Sequence, residues 1–147
     1  MPIKARYYNL CIRPALLYAS ETWALTKSME LRLARCQRAI ERRMLGVRLR
    51  DRHSVAWIRE KTGLEDVVSS YRKRKWKHAN KVVGATHSER WDQRLLLWTP
   101  PGKRPLGRPR RRWQDDLVRT AGKNWQMKAN DQRTWMKLRD EYMAHSD

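Results

Sequence analysis

Apolar residues recur along most of the chain at intervals of three and four, the spacing of one face of an α-helix, and long apolar/polar alternation is absent. The clearest example begins after Thr26 or Ser28, either of which can cap a helix, and ends before Gly46, where a helix is expected to stop. Its apolar stripe comprises Met29, Leu33, Cys36, Ile40 and Met44. A different face carries Arg32, Arg35, Arg38, Arg42 and Arg43. We therefore predict an amphipathic helix with a buried apolar stripe and a basic outer face.

The same spacing predicts helices on both sides of this segment. The first covers about Ile3 to Trp23, and Pro14 is expected to bend or divide it because proline lacks the backbone N–H that a helix interior needs. A short helix runs from about Ser54 to Thr62 and stops at Gly63. Further helical patterns occupy approximately residues 65–83, 88–98, 112–121 and 131–144. The sequence thus predicts an all-α protein, an elongated array of about six or seven helices.

The predicted helix at residues 65–83 has two chemically different sides. One side is apolar and carries Val68, Tyr71, Ala79 and Val82. The opposite side is basic, spans about a third of the circumference, and carries Lys73, Arg74, Lys77 and Lys81. Lys75 falls on the apolar side, and we expect its ammonium group to reach outward to water along its own aliphatic stem.

The composition changes abruptly at Thr99. The segment Thr99–Arg112, TPPGKRPLGRPRRR, contains four prolines, two glycines, six basic residues and no acidic residue. A helix cannot run through it, so we predict an extended, positively charged linker, called the basic linker below. The chain then divides into a helical region (1–98), the basic linker (99–112) and a small C-terminal helical segment (113–147).

The net charge indicates the kind of partner. With 34 Lys and Arg against 15 Asp and Glu, the formal charge is +19, an excess that is best tolerated when a polyanion such as RNA or DNA supplies the countercharge. A membrane partner is not expected, because uncharged stretches such as Pro14–Ser20 are far too short to span a bilayer. The candidate nucleic-acid-binding residues are Lys73, Arg74, Lys77, Lys81, Lys103, Arg104, Arg108, Arg110, Arg111 and Arg112.

One short string has the form of a catalytic motif. Trp113-Gln114-Asp115-Asp116 matches the aromatic-x-Asp-Asp pattern with which polymerases that copy RNA into DNA hold metal ions on a β-hairpin. Here the pair opens a predicted helix, where adjacent side chains diverge by about 100° and carboxylates are favoured by the helix dipole. We interpret it as a helix start. The four histidines and two cysteines show no metal-ligand spacing, so we predict no catalytic centre, metal or cofactor.

The cysteine content indicates the cellular compartment. Two cysteines, Cys11 and Cys36, are too few for a disulfide framework, which indicates a reducing intracellular compartment, nuclear or cytoplasmic. Both fall among apolar residues, so we expect buried thiols.

The chain has 8 Trp and 5 Tyr but no Phe. Tryptophans can stack on bases or on arginine, or they can fill a small core. We predict a core position for most of them.

Several sequence blocks, ordered along nearly the whole chain, carry a family resemblance. They are YNLCIRPALLYASETW (Tyr8–Trp23), RAIERRMLGVRLRDR (Arg38–Arg52), Thr62-Gly63, Arg72–His78 and GKRPLGRPRRRWQDDL (Gly102–Leu117), followed by Gly122, Trp125, Asp131 and Trp135. In this order they resemble the region after the catalytic palm in reverse transcriptases of non-LTR retrotransposons, especially the RTE-like group. Ala19 and Leu106 depart from the pattern, since Gly and Arg are expected there.

The resemblance implies a C-terminal fragment of such an enzyme, with thumb-like helices in residues 1–98. In the family, an endonuclease and a reverse-transcriptase palm lie upstream, and the whole protein copies element RNA at a nicked chromosomal target. This sequence lacks the metal-binding palm aspartates and the nuclease residues. It is therefore expected to be a non-catalytic part that binds RNA or DNA. The alternative is a segment of a decayed or truncated copy that mainly packs on the missing palm and has no independent function.

Overall fold

The computed structural model of the protein describes residues 2–84, 91, 94–95, 98, 101–102, 106–107 and 111–144. Their regular structure is helical and includes no strand, so the predicted all-α class is confirmed. Most of the predicted helix at 88–98 and most of the basic linker fall outside the described residues. None of the helices in the described ranges has the length and apolarity needed to cross a membrane.

The chain folds as two compact units. The first comprises residues 1–20 and 25–71, and the second comprises residues 21–24 and 72–147. The predicted division at residues 98 and 113 follows composition rather than packing, and it stays a prediction.

The first helical segment is divided where Pro14 predicts. It consists of α1 (Pro2–Tyr7), a π-helical turn (Tyr8–Ile12) and α2 (Arg13–Leu16). The backbone N–H of Arg13 donates to the carbonyl oxygen of Tyr8, five residues earlier, which closes the wider π-type turn. Pro14 then lies in the first turn of α2, where a missing N–H costs little.

The prediction that this helix continues to Trp23 is wrong. It ends at Leu16, and the chain turns through Ala19 at φ +51° into a short 3-10 turn (Ser20–Thr22). The left-handed backbone region is sterically unfavourable for alanine and easily adopted by glycine. The backbone therefore supplies a physical reason why glycine is expected at position 19.

α3 (Lys27–Leu45) has the predicted ends. Thr26, with extended backbone angles, precedes it, and Gly46 follows it in the left-handed conformation at φ +74°. The predicted buried stripe is wrong, because the side chains that α3 buries fully are Gln37 and Glu41. Of the predicted stripe, Leu33, Ile40 and Met44 are half-buried, while Met29 and Cys36 are exposed. The expectation of buried thiols is also wrong, since Cys11 and Cys36 are both exposed.

The rest of the first unit is built around α4 (Val55–Thr62), which packs on α3. The Ser54 hydroxyl accepts the backbone N–H of Trp57 at 3.1 Å, and Gly63 ends the helix at φ +64°, as predicted. A 3-10 turn (Leu49–Asp51) precedes α4. The buried apolar side chains of this unit are Tyr8, Leu17, Ile58, Leu64, Val67 and Tyr71.

The second unit is an aromatic-rich helical cluster. It contains α5 (Val67–Val83) from residue 72 onward, α6 (Asp115–Ala121), α7 (Trp125–Asn130) and α8 (Gln132–Ala144). Its core consists of Trp76, Ala79, Leu117, Ala121, Trp125, Ala129, Trp135 and Tyr142. The rings of Trp76 and Trp135 stack at 3.7 Å, and each indole N–H donates to the backbone carbonyl of the other, at 3.3 and 3.2 Å. Small alanines alternate with these large rings, so a few large residues fill the unit.

Candidate nucleic-acid interface

The basic side of α5 is exposed. Tyr71, Ala79 and Val82 are buried, which confirms the two-sided helix that the sequence predicts. The opposite side presents Lys73, Arg74, Lys77 and Lys81, all of them exposed. We call these four residues the basic face of α5. Four cations within about a third of a helix circumference can follow the phosphates of one ligand.

Lys75 does not reach outward as predicted. Its side chain is 1% exposed, and its Nζ lies 2.8 Å from Oδ2 of Asp116 and 5.0 Å from the ring centroid of Trp113. Burial lowers the pKa of Lys75, and the carboxylate of Asp116 opposes this effect. The prediction is wrong because the half-buried carboxylate of Asp116 and the ring of Trp113 meet the ammonium group inside the unit.

Asp115 and Asp116 both make hydrogen bonds that stabilise the local structure. Oδ2 of Asp115 accepts the backbone N–H of Arg112 at 2.6 Å, and α6 begins at Asp115, which confirms the helix-start interpretation. Oδ2 of Asp116 accepts both Lys75 and the hydroxyl of Tyr142, the latter at 3.0 Å. Across the described ranges, no group of three or more His, Cys, Asp or Glu side chains could hold a metal ion.

Trp113 fixes the end of the basic linker against α5. Its indole N–H donates to the carbonyl oxygen of Glu21 at 2.7 Å, and its ring meets the rings of His78 and Trp125 edge-on, each at 6.2 Å. His78 lies about 40° around α5 from Arg74, so Trp113 packs at the border of the basic face. This anchor was not predicted. The sequence offered two signals of a contact here: Lys75 lies on the apolar side of its helix, and Asp116 lies at the start of a later helix.

The anchor also places the last linker residues. Arg111 and Arg112 are half-buried and directly precede Trp113. The charge of Arg111 contributes to the lowered pKa of Lys75, so the two residues are electrostatic neighbours. The structure thus brings this end of the basic linker to the border of the basic face of α5. The other candidate residues of the linker, Lys103, Arg104, Arg108 and Arg110, lie outside the described residues.

The first unit contains a second buried polar cluster that was not predicted. Glu41 is fully buried, and its Oε1 accepts Nε2 of Gln37 at 2.9 Å and lies 3.5 Å from Nε of Arg59. Burial raises the pKa of Glu41, with Arg59 opposing. Burial also raises the pKa of Tyr8 to about 12, and the charge of Glu41 adds to the increase. Gln37 accepts the backbone N–H of Val67 at 2.7 Å, so this cluster joins α3 to the start of α5.

The chain is similar in sequence to a known protein. The chain is 30% identical, over 149 aligned positions, to a transposon-derived protein of Caenorhabditis elegans. The alignment covers 91% of this chain and 53% of that protein, so the chain spans about half the length of this relative. No protein-family model and no solved structure matches the chain. Along most of its own length, the chain is therefore related to a protein that derives from a transposon.

Proposed function

We propose that the chain binds RNA or DNA through sequence-independent phosphate contacts. The observation that carries the proposal is the exposed basic face of α5 with the anchored end of the basic linker at its border. The net charge of +19 supplies the long-range attraction to a polyanion. Arginine and lysine contacts to phosphate position a ligand without reading its bases, so duplex DNA and structured RNA are both expected to bind.

We propose that the chain originates from a transposable element. We also propose that it belongs to the non-catalytic C-terminal part of a retrotransposon reverse transcriptase. The similarity to a transposon-derived protein supports the first part, and the ordered sequence blocks support the second. The ligand would be the template–primer duplex or the element RNA. Polymerisation would belong to the palm of the full-length protein, because Asp115 and Asp116 are engaged in a helix start and an ion pair.

The experiment compares two variants with the same loss of charge. One replaces the basic face of α5 with glutamine: Lys73→Gln, Arg74→Gln, Lys77→Gln and Lys81→Gln. The control replaces four exposed cations of α3 in the first unit: Lys27→Gln, Arg32→Gln, Arg35→Gln and Arg43→Gln. Fluorescence anisotropy measures the Kd for a labelled DNA duplex and for an RNA hairpin. Circular dichroism checks that the helical content is unchanged.

We expect the α5 variant to bind both ligands at least about tenfold more weakly than the control. The two variants have the same net charge, so a general charge effect would weaken both equally. A variant in which the six basic residues of the linker are neutralised is expected to lose affinity for both ligands as well. Equal affinities for the α5 variant and its control would contradict the proposed site.

A second function is favoured by an exposed apolar stripe in the first unit. Ile3, Tyr7 and Leu10 follow helical spacing and are 84%, 61% and 65% exposed, an unusual arrangement for a free surface. Under this proposal the unit packs against another part of a longer protein. With that part absent, the uncovered stripe should cause the isolated chain to self-associate in size-exclusion chromatography. Replacing the three residues with serine should abolish this self-association and leave nucleic-acid affinity unchanged. If neither property changes, the stripe is an ordinary surface.

A further inference from the structure

The connection between α3 and α4 in the first unit carries a group of cations. Every residue of the segment Arg48–Ser54 is exposed. The segment contains three arginines, Arg48, Arg50 and Arg52, against one carboxylate, that of Asp51. Oδ2 of Asp51 accepts the backbone N–H of Arg48 at 2.7 Å. Its Oδ1 lies 3.8 Å from Nε of Arg50, whose side chain remains 74% exposed. The segment therefore presents net positive charge at the surface.

An aromatic stack adjoins these arginines. The imidazole of His53 lies against the indole of Trp57, with the ring centroids 4.0 Å apart and an angle of 12° between the ring planes. Trp57 is half-buried, whereas His53 is exposed. The indole thus covers one flat side of the imidazole, and the exposure of His53 comes from its other side and its edges. The pair forms a platform on which one further planar group can stack.

Arg52 adopts an unfavourable backbone conformation next to this stack. Its φ is +51°, in the left-handed region that glycine adopts easily and that is sterically costly for a residue with a Cβ. The chain turns there between the 3-10 turn and Ser54, whose hydroxyl caps α4. Strained residues are concentrated at functional sites. The position therefore favours a role for the guanidinium group of Arg52 in binding.

A purely structural role accounts for part of this arrangement. A residue directly before a helix cap often packs on the first turn of the helix, as His53 does on Trp57. That role requires neither an exposed ring nor three exposed arginines beside it. A flat ring next to several guanidinium groups suits a ligand that is both planar and anionic, as a nucleotide is.

We propose that the segment Arg48–Ser54 and the His53–Trp57 stack together bind an unpaired base of a nucleic-acid strand and its adjoining phosphates. The base stacks on the open side of His53, and the three arginines contact the phosphates. Bases within a duplex do not offer their flat faces to side chains, whereas splayed single-stranded bases do. Three guanidinium groups can meet more than one phosphate, which favours a strand over a free nucleotide. The inference rests on the proposed function and adds a base-contacting site in the first unit.

The first test separates bases from phosphates. The probes are two labelled oligonucleotides of equal length and equal backbone charge, one of thymidine and one that is abasic at every position. Fluorescence anisotropy measures the Kd of the full chain for each. His53→Ala removes the outer ring of the stack, and His53→Phe keeps a ring there. Tyr18→Ala is the control, because it removes an aromatic residue of the same unit that is 80% exposed.

The unaltered chain should bind the thymidine strand at least about fivefold more tightly than the abasic strand. His53→Ala should remove most of this preference and leave the affinity for the abasic strand unchanged. His53→Phe and Tyr18→Ala should both retain the preference. Urea unfolding of the same variants measures the structural role separately. A loss of stability in His53→Ala with an unchanged preference would show that the stack is only structural and would overturn the inference.

The second test concerns the arginines and uses two variants with the same loss of charge. One variant carries Arg48→Gln, Arg50→Gln and Arg52→Gln. Its control carries three changes of exposed cations in the N-terminal half of α3: Lys27→Gln, Arg32→Gln and Arg35→Gln. The first variant should bind both strands at least about fivefold more weakly than its control.

A single substitution, Arg52→Gly, distinguishes binding from folding. Glycine relieves the left-handed conformation, so this variant should unfold at a higher urea concentration than the unaltered chain. It should nevertheless bind both strands more weakly, because a phosphate contact is lost. Unchanged binding in the Arg52→Gly variant would contradict the proposed role of this arginine.

Two further results would overturn the inference and leave the proposed function intact. One is equal affinity of the triple arginine variant and its α3 control for the strands. The other is binding of thymidine 5′-monophosphate as tightly as the thymidine strand, which would assign the site to a free nucleotide. If neither strand, duplex nor hairpin binds, the proposed function fails together with this inference.

Discussion

The two units differ in how completely they satisfy their buried polar groups. In the first unit, six buried side-chain atoms have no hydrogen-bond partner within the described part of the chain: Tyr8 Oη, Asn9 Oδ1, Ser20 Oγ, Glu41 Oε2, Arg59 Nε and Ser70 Oγ. Over the described residues of the second unit there is no such atom. There the buried Lys75 meets Asp116, and Asp116 also accepts from Tyr142.

The difference bears on what each unit does. A buried charge that is paired and hydrogen-bonded holds its neighbours in fixed positions, and in the second unit those neighbours include Trp113 and the end of the basic linker. The first unit combines poorly satisfied polar groups with an exposed apolar stripe and a left-handed alanine. The second unit is thus the more rigidly held part of the proposed binding surface, and the first unit carries the larger energetic penalties.

The largest effect is expected at the buried ion pair. Asp116→Ala leaves the ammonium of Lys75 buried without its partner, and such a loss costs about 3–5 kcal/mol. Urea unfolding followed by tryptophan fluorescence measures the change. Asp115→Ala is the control, because that exposed carboxylate only accepts a backbone N–H, a contact worth about 1 kcal/mol. Similar losses for the two variants would show that the second unit does not depend on the pair.

A smaller change of opposite sign is expected in the first unit. Ala19→Gly relieves a left-handed backbone conformation that costs a residue with a Cβ about 1–2 kcal/mol. Part of this gain is offset by the greater freedom of glycine in the unfolded chain, which leaves a net stabilisation of about 0.5–1 kcal/mol. Ala15→Gly, in the middle of the neighbouring helical turn, should instead destabilise. A destabilised Ala19→Gly variant would contradict the left-handed conformation.

The smallest effect is a pH dependence at Glu41. Burial raises the pKa of Glu41 above 4.5, so the folded chain holds this proton more tightly than the unfolded chain does. The free energy of unfolding therefore falls as the pH rises from about 4.5 through the raised pKa. Glu41→Gln removes this contribution, and its stability relative to the unaltered chain should increase over that range. The exposed Glu60→Gln should show no such trend, and a trend shared by both variants would refute the explanation.

The local features of the fold could be predicted from the sequence because neighbouring residues determine them. Thr26, Gly46, Ser54 and Gly63 mark helix ends through capping and backbone freedom, and the structure places those ends where they were predicted. Which side of a helix is buried depends on segments distant in sequence. Gln37 is buried by its contacts with residues 65 and 67, about 30 positions away. An apolar stripe alone could not reveal this.

The same distinction holds at the candidate interface. The exposure of the basic face of α5 follows from helical periodicity and was predicted. The anchoring of Trp113 at its border was not predicted, because the indole N–H donates to the carbonyl oxygen of Glu21, 92 positions away in the sequence. Lys75 was expected to point outward because its partner, Asp116, comes close to it only in the folded chain.

The central claim is that the basic face of α5 and the basic linker contact the same nucleic acid. The most direct test is the slope of log K against log salt concentration for a DNA duplex, measured for the unaltered chain, the α5 variant, the linker variant and their combination. Each phosphate contact that is lost should reduce the slope by about 0.9. The account predicts that each variant has a shallower slope and that the combination has the shallowest. A slope of the α5 variant equal to that of the charge-matched α3 control would contradict it.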